Sequence, residues 1–170
     1  MSYQPTNVIG LRVPLFDRLV DSAPDQPKEV SPLRVYTKQS LFASIARDIG
    51  RLLNTRRGSQ RAFHVSTASV LEYGLPSFSH LNAASATDRR ILAESVRETI
   101  SFFEPRALNV GIQLEPNPDD PSAMLGYIHC EVRIGALTEP VTFPLVVENR
   151  KGVIEVLMSE STASDNPQAL

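Results

Sequence analysis

Between Leu41 and Leu53 the apolar residues Leu41, Ile45, Ile49, Leu52 and Leu53 recur at spacings of three and four, with Phe42 broadening the stripe. That period predicts an amphipathic helix over "LFASIARDIGRLLNT", with Arg47, Asp48 and Arg51 turned away from the apolar side. Thr37 or Ser40 can cap its start, and Asn54 with the following "TRRGSQ" supplies the polar and glycine residues that end it. A second helix is predicted in "ATDRRILAESVRETISFFEPR". Ile91, Leu92, Val96, Ile100 and Phe103 form its stripe, Ser85 or Thr87 its cap, and Arg89, Glu94, Arg97 and Glu98 its wetter face. Pro105 has no amide proton and clashes with the preceding turn, so this helix ends close to Phe103. Between the two, "SVLEYGLPSFSH" reads as a short helical turn closed by Gly74, with Pro76 preventing its continuation.

After Pro105 the period drops to two. Leu108, Val110, Ile112 and Leu114 are predicted on one face of a strand, with Asn109, Gln113 and Glu115 on the other. "LGYIHCEVRI" alternates again, setting Ile128, Cys130, Val132 and Ile134 against Tyr127, His129, Glu131 and Arg133. "PVTFPLVVE" and "GVIEVLM" give two more strands joined around "NRKG" in a hairpin. Pro144 cannot donate to a ladder, which predicts that its strand lies at an edge or carries a bulge. The expected fold class is α+β, with amphipathic helices on one face of a mostly antiparallel sheet that keeps an exposed edge strand. Residues 1–34 read as an arm and linker around Leu15, Phe16 and Leu19, residues 35–158 as the folded domain, and residues 159–170 as a polar tail. The arm is either loosely packed or a docking segment that orders against a partner.

Composition narrows the possible functions. A chain of 170 residues is most simply one domain. A hydrophobic fraction of 42%, a charged fraction of 21% and a formal net charge of −2 describe an ordinary soluble protein with no general attraction for nucleic acid. Cys130 is the single cysteine, so no internal disulfide can form, and a cytoplasmic location is expected. No stretch approaches the roughly 20 apolar residues that span a bilayer, so no direct membrane insertion is expected.

Few residues are arranged for chemistry. His129 and Cys130 are neighbours in a predicted strand and leave opposite faces, and His64 and His80 lack compact ligand spacing, so neither a metal nor any other cofactor is expected. Cys130 falls among apolar residues, the setting of an inert thiol, and no glycine-rich phosphate loop occurs. Arg51, Arg56, Arg57 and Arg61 gather at the end of the first helix, as a solvated terminus or as a phosphate-binding patch. Glu94, Glu98 and Glu104 could in principle supply the two carboxylates of a glycoside hydrolase. Glu94 and Glu98, however, lie one turn apart on a wet face beside arginines, where neither acquires the raised pKa of a general acid. By elimination the junction Glu104, Pro105 and Arg106 is the leading candidate site, although a helix stop with a local ion pair would explain the same three residues.

The motifs "PLFDRL", "SIARDIGRLLNTRR", "SVLEYGLPSFS" and "SFFEPRALNVGIQLE", in that order, resemble the TssE family, the baseplate wedge subunits of bacterial type VI secretion systems, related to a lysozyme-like group of phage tail proteins. "LLNTR" and "FEPR" are the most specific elements, and Ser77 departs from the acidic residue common after "YGLP". The resemblance implies a non-enzymatic structural protein of a cytoplasmic baseplate docked at the inner membrane complex. It implies that Glu104, Pro105 and Arg106 face the wedge proteins TssF and TssG, and that the terminal strand at Val153, Ile154, Glu155 and Val156 offers an edge to the sheath subunits TssB and TssC. TssK and other baseplate components are further implied neighbours. A peptidoglycan-degrading lysozyme-like hydrolase and a cytoplasmic adaptor are the alternatives.

Overall fold

A computed structural model of the chain describes residues 13–14, 17, 19, 36–58, 70–134 and 137–158. The predicted segments Leu15, Phe16 and His64 therefore lie outside the described residues, as do Arg61 and the polar tail. Helix α1 spans Lys38–Asn54 and helix α2 spans Ala86–Phe103, and a 3-10 turn lies at Val70–Glu72. Four strands follow, β1 at Ala107–Pro116, β2 at Ala123–Ile134, β3 at Leu137–Glu148 and β4 at Val153–Val156. They form one sheet in the order β1-β2-β3-β4, antiparallel throughout. The fold class is α+β.

Each helix begins where its cap places it. The Thr37 hydroxyl accepts the Ser40 amide at 3.1 Å, and the Ser85 hydroxyl accepts the Asp88 amide at 3.3 Å, each satisfying a donor that the first turn leaves free. α1 buries the predicted stripe together with Ser44 and Ala46. On α2 the buried residues are Leu92, Val96, Thr99 and Ile100, while Ile91 is half exposed. Leu92, Val96 and Ile100 are buried as predicted, Ile91 and Phe103 lie at the margin, and Thr99 joins the stripe because its hydroxyl donates to the Ser95 carbonyl at 2.7 Å, leaving no unsatisfied donor inside.

Both helices lie over one face of the sheet, α1 packed mainly against β4 and α2 against β1. Met124, Ile128, Cys130 and Val132 of β2 meet Phe143, Leu145 and Val147 of β3 and Ile154 of β4 in the core beneath them. Gly126 lets β1 and β2 close up, since a Cβ there would sit 2.2 Å from the Gln113 carbonyl oxygen. Gly74 has φ 102° and faces the Thr55 carbonyl, a conformation and an approach that only glycine supports.

The register shows one departure from simple alternation. Leu108 pairs with Glu131 and Gly111 with His129, so Asn109 and Val110 oppose a single residue in a β-bulge, with Asn109 at φ 51°. Directly opposed residues share a face, so Leu108 joins the side of Glu131 while Ile112 and Leu114 join the core side. Pro144 does not lie on an outermost strand. β4 covers β3 only from Leu145 to Glu148, and Pro144 sits just past that cover, where the Leu157 amide donates to its carbonyl at 2.8 Å.

Candidate functional site at the helix-to-strand corner

The corner between α2 and β1 is built by backbone bonds on both sides of Glu104. Its amide donates to the Ile100 carbonyl at 2.8 Å, closing the helix, and its carbonyl accepts the Ala107 amide at 3.0 Å, starting the strand. Pro105 occupies the exposed tip. The Glu104 side chain turns inward and is only 5% exposed.

Arg106 holds that buried carboxylate with a two-pronged grip. Its Nε donates to Glu104 Oε1 at 2.7 Å and its Nη2 to Oε2 at 2.6 Å, while its own amide donates to Oε1 at 3.2 Å. The guanidinium also reaches α1, with Nη2 2.6 Å from Asp48 Oδ2 and Nη1 3.2 Å from the Ser44 hydroxyl. Burial works against the charge on Arg106, but the hydrogen bonds and charges of Glu104 and Asp48 outweigh it and raise its pKa. The acid and the base are therefore committed to each other and to α1 within the chain.

Ser44, almost fully buried, extends the network toward the arm. Its hydroxyl donates to Asp17 Oδ2 at 2.9 Å, the Tyr36 hydroxyl donates to the same oxygen, and Arg47 Nη2 lies 2.6 Å from Asp17 Oδ1. Desolvation alone would raise the Asp17 pKa, yet the donors from Tyr36, Ser44 and Arg47 bring it below the ordinary carboxylate value. Asp48 and Ser44 of α1 thus complete the corner. The sequence shows only their helix spacing: Asp48 falls on the side away from the apolar stripe, and Ser44 carries no signal.

The other predicted groups are placed separately. Glu94 pairs with Arg97 on the exposed face of α2, with Arg97 Nε 3.0 Å from Oε2. Arg56 donates to the Gly152 carbonyl and lies 4.4 Å from the centre of the Phe78 ring, a structural clamp between the end of α1 and the β3–β4 turn. His129 spans Gln113 and Thr142 on the solvent face of the sheet, at 3.2 and 3.1 Å, opposite the buried Cys130. Burial, with a smaller contribution from the Glu104 charge, pushes the Cys130 thiol up to about 11. Among the described residues no group of three His, Cys, Asp or Glu side chains could hold a metal ion, and no helix is long and apolar enough to cross a membrane.

On the terminal strand the backbone of Ile154 is already engaged. Its amide donates to Asn54 Oδ1 at 3.0 Å and its carbonyl accepts from Asn54 Nδ2 at 2.6 Å. Glu155 pairs with Val146, and the adjoining Leu157-to-Pro144 bond fixes the phase of the ladder, so the Glu155 amide points into the sheet. Val153 pairs in the same way with Glu148, which leaves Val156 as the β4 residue with its amide turned outward and no partner among the described residues.

Together these features define an α+β module in which polar bonds tie Asp17, a helix and a sheet into one charged corner. The chain matches the family described as Baseplate wedge protein gp25 over residues 39–140, and it belongs to that family. Among solved structures it is similar to a chain of the baseplate complex from the type VI secretion system, with 14% identity, 70% of this chain and 95% of that chain covered, and a TM-score of 0.45. It is also similar to a tail lysozyme-like protein from Geobacter sulfurreducens, with 20% identity, coverage of 75% and 100%, and a TM-score of 0.43. No curated protein matches the chain.

Proposed function

We propose that this protein is a structural wedge subunit of a type VI secretion baseplate, cytoplasmic and without enzymatic activity, that joins the TssF and TssG proteins and gives the TssB and TssC sheath a platform. Membership of the baseplate wedge family is the observation that carries this reading. The corner supports it physically. Three ion-pair and hydrogen-bond anchors hold Arg106 in place, with its side chain 26% exposed beside the exposed Pro105, so a neighbouring protein meets a rigid surface and loses little entropy in ordering it. A lysozyme-like role fits the same residues poorly, because Glu104 is clamped by Arg106 and Glu94 by Arg97.

The test is affinity purification of the tagged chain from cells, followed by identification of the bound proteins and microscopy of the particle. The reading expects TssF and TssG in stoichiometric recovery and a wedge-shaped assembly. Recovery of one soluble partner without a particle would favour the adaptor, and release of soluble fragments from purified peptidoglycan would favour the hydrolase.

A further inference from the structure

Both helices cover the same face of the sheet, and among the described residues no element covers the other. An open face of an antiparallel sheet normally carries the polar half of the alternation, and His129, Thr142, Glu131 and Arg133 conform to that. The end of the face nearest β4 does not. There the register sets Glu115, Leu125, Val146 and Glu155 side by side in one row across all four strands. In the next row Tyr127 stands between Gln113 and Pro144, and the bond from the Leu157 amide to the Pro144 carbonyl brings Leu157 alongside. Leu125, Val146, Tyr127, Pro144 and Leu157 therefore form a contiguous apolar floor, in which Leu125 is 38%, Tyr127 49% and Leu157 45% exposed.

The floor is bounded by acid on both sides. Glu115 on β1 and Glu155 on β4 are exposed, and among the described residues neither carboxylate is held by an ion pair or a hydrogen bond. Lys151, a cation that feels the Glu155 charge, is itself paired with Glu148 at 2.5 Å. Three strand spacings, about 14 Å, separate β1 from β4. An α-helix is about 10 Å across, so one laid along β2 and β3 fills the space between the two rims and brings its flanks to both acids. A single extended strand, only about 5 Å wide, would leave at least one rim unmet. A second copy of this chain is a poor occupant, because two such faces stacked about a two-fold axis set acid against acid. Residues 159–170 fit no better, since they contain Glu160 and Asp165 and no lysine or arginine.

We infer that this open face is a docking surface for an amphipathic helix of another protein, whose apolar stripe rests on Tyr127 and Leu125 and whose flanks carry lysine or arginine against Glu115 and Glu155. Burial of the exposed apolar floor supplies the attraction, and the two acids set the register and choose the partner by charge. The inference goes beyond the baseplate reading and does not depend on it.

A helix-stapled probe of about 15 residues, with a leucine stripe flanked by lysines, tests the surface on the full chain by amide chemical shifts. It should shift Leu125, Tyr127 and Val146 saturably, and a twin with glutamates in place of the lysines should bind at least about tenfold more weakly. The exposed changes Glu115→Lys and Glu155→Lys together should reverse that preference, and Tyr127→Ala should weaken the lysine probe about tenfold. In cells, p-benzoylphenylalanine placed at position 127 should capture a basic amphipathic segment of another protein. Equal binding of the two probes, no binding of the lysine probe, or shifts confined to the helix layer would overturn the inference. Capture of a second copy of this chain, of an acidic segment or of nothing would overturn it as well.

Discussion

Arg106 and Glu104, two residues apart across an exposed proline, form a two-pronged ion pair whose carboxylate is buried and whose guanidinium continues to Asp48 on another helix. Local and long-range structure meet in that side chain. A local ion pair beside a helix stop, the simplest reading of the sequence, would make truncation of Arg106 cost little stability. The geometry leads to a different expectation, because the truncation strands a buried carboxylate.

Arg106→Ala should destabilise the isolated protein by about 3 kcal/mol, the order found when one partner of a buried ion pair is removed. Adding Glu104→Gln should recover part of the loss, since the stranded charge disappears with it. Urea unfolding of the single and double variants measures both effects. A loss below about 1 kcal/mol for the single variant would mean that Glu104 finds water in the folded state.

Asp17 makes the stability of the arm contact depend on pH. Its pKa is lower folded than unfolded, so the contribution is fully present above the unfolded value near about 4 and fades as pH falls through the lower folded value. Asp17→Asn should therefore flatten the acid side of the stability profile below about pH 4 and weaken the Tyr36 contact. An acid limb identical to that of the wild type would show that the contact does not persist in solution.

Asn54→Ala should cost about 1–3 kcal/mol, because it removes both bonds to Ile154 as well as the 2.8 Å bond from Asn54 Nδ2 to the Gly50 carbonyl. Asn54→Asp keeps an acceptor for the Ile154 amide but sets a carboxylate oxygen against the Gly50 and Ile154 carbonyls at the C-terminal end of α1, so it should cost at least as much as the alanine change. Exchange of the Ile154 amide should accelerate in the alanine variant well before global unfolding.

Gly126→Ala should destabilise by about 2 kcal/mol through forced separation of β1 and β2, as in other overpacked sites. Its signature is loss of protection at Gln113 and Glu115, whose amides bond to β2, with β3 and β4 unaffected. Uniform loss across the sheet would mean that the strain spreads instead of staying local.

Cys130 should resist thiol reagents at pH 8 until the protein is unfolded, because its thiol is buried and titrates near about 11. Rapid modification of the native chain would contradict the packing of β2 described above.

The periodicities of 3.6 and 2 made both helices, the four strands and most of the core legible, and Pro105 located the end of α2 to the residue. What stayed hidden depends on contacts between distant segments. The pairing of Arg106 with Asp48 and Ser44 crosses 58 and 62 residues, and no local spacing records it. Strand phase was hidden for a related reason. Alternation tells which face a side chain takes, but the direction of an amide follows from register, so no sequence pattern shows that the Glu155 amide points into the sheet. The bulge at Asn109 escaped because the apolar residues on either side of it keep the same apparent period.

The attachments of β4 have a mechanical consequence. A strand of four residues, pulled from the Leu157 end, would by itself open one bond at a time like a zipper. Asn54 grips Ile154 in the middle of that strand and Arg56 grips Gly152 just before it, so each step past Glu155 must also break a bond to the end of α1 or to the residue just beyond it. The shortest element of the sheet is thereby among its better secured against force.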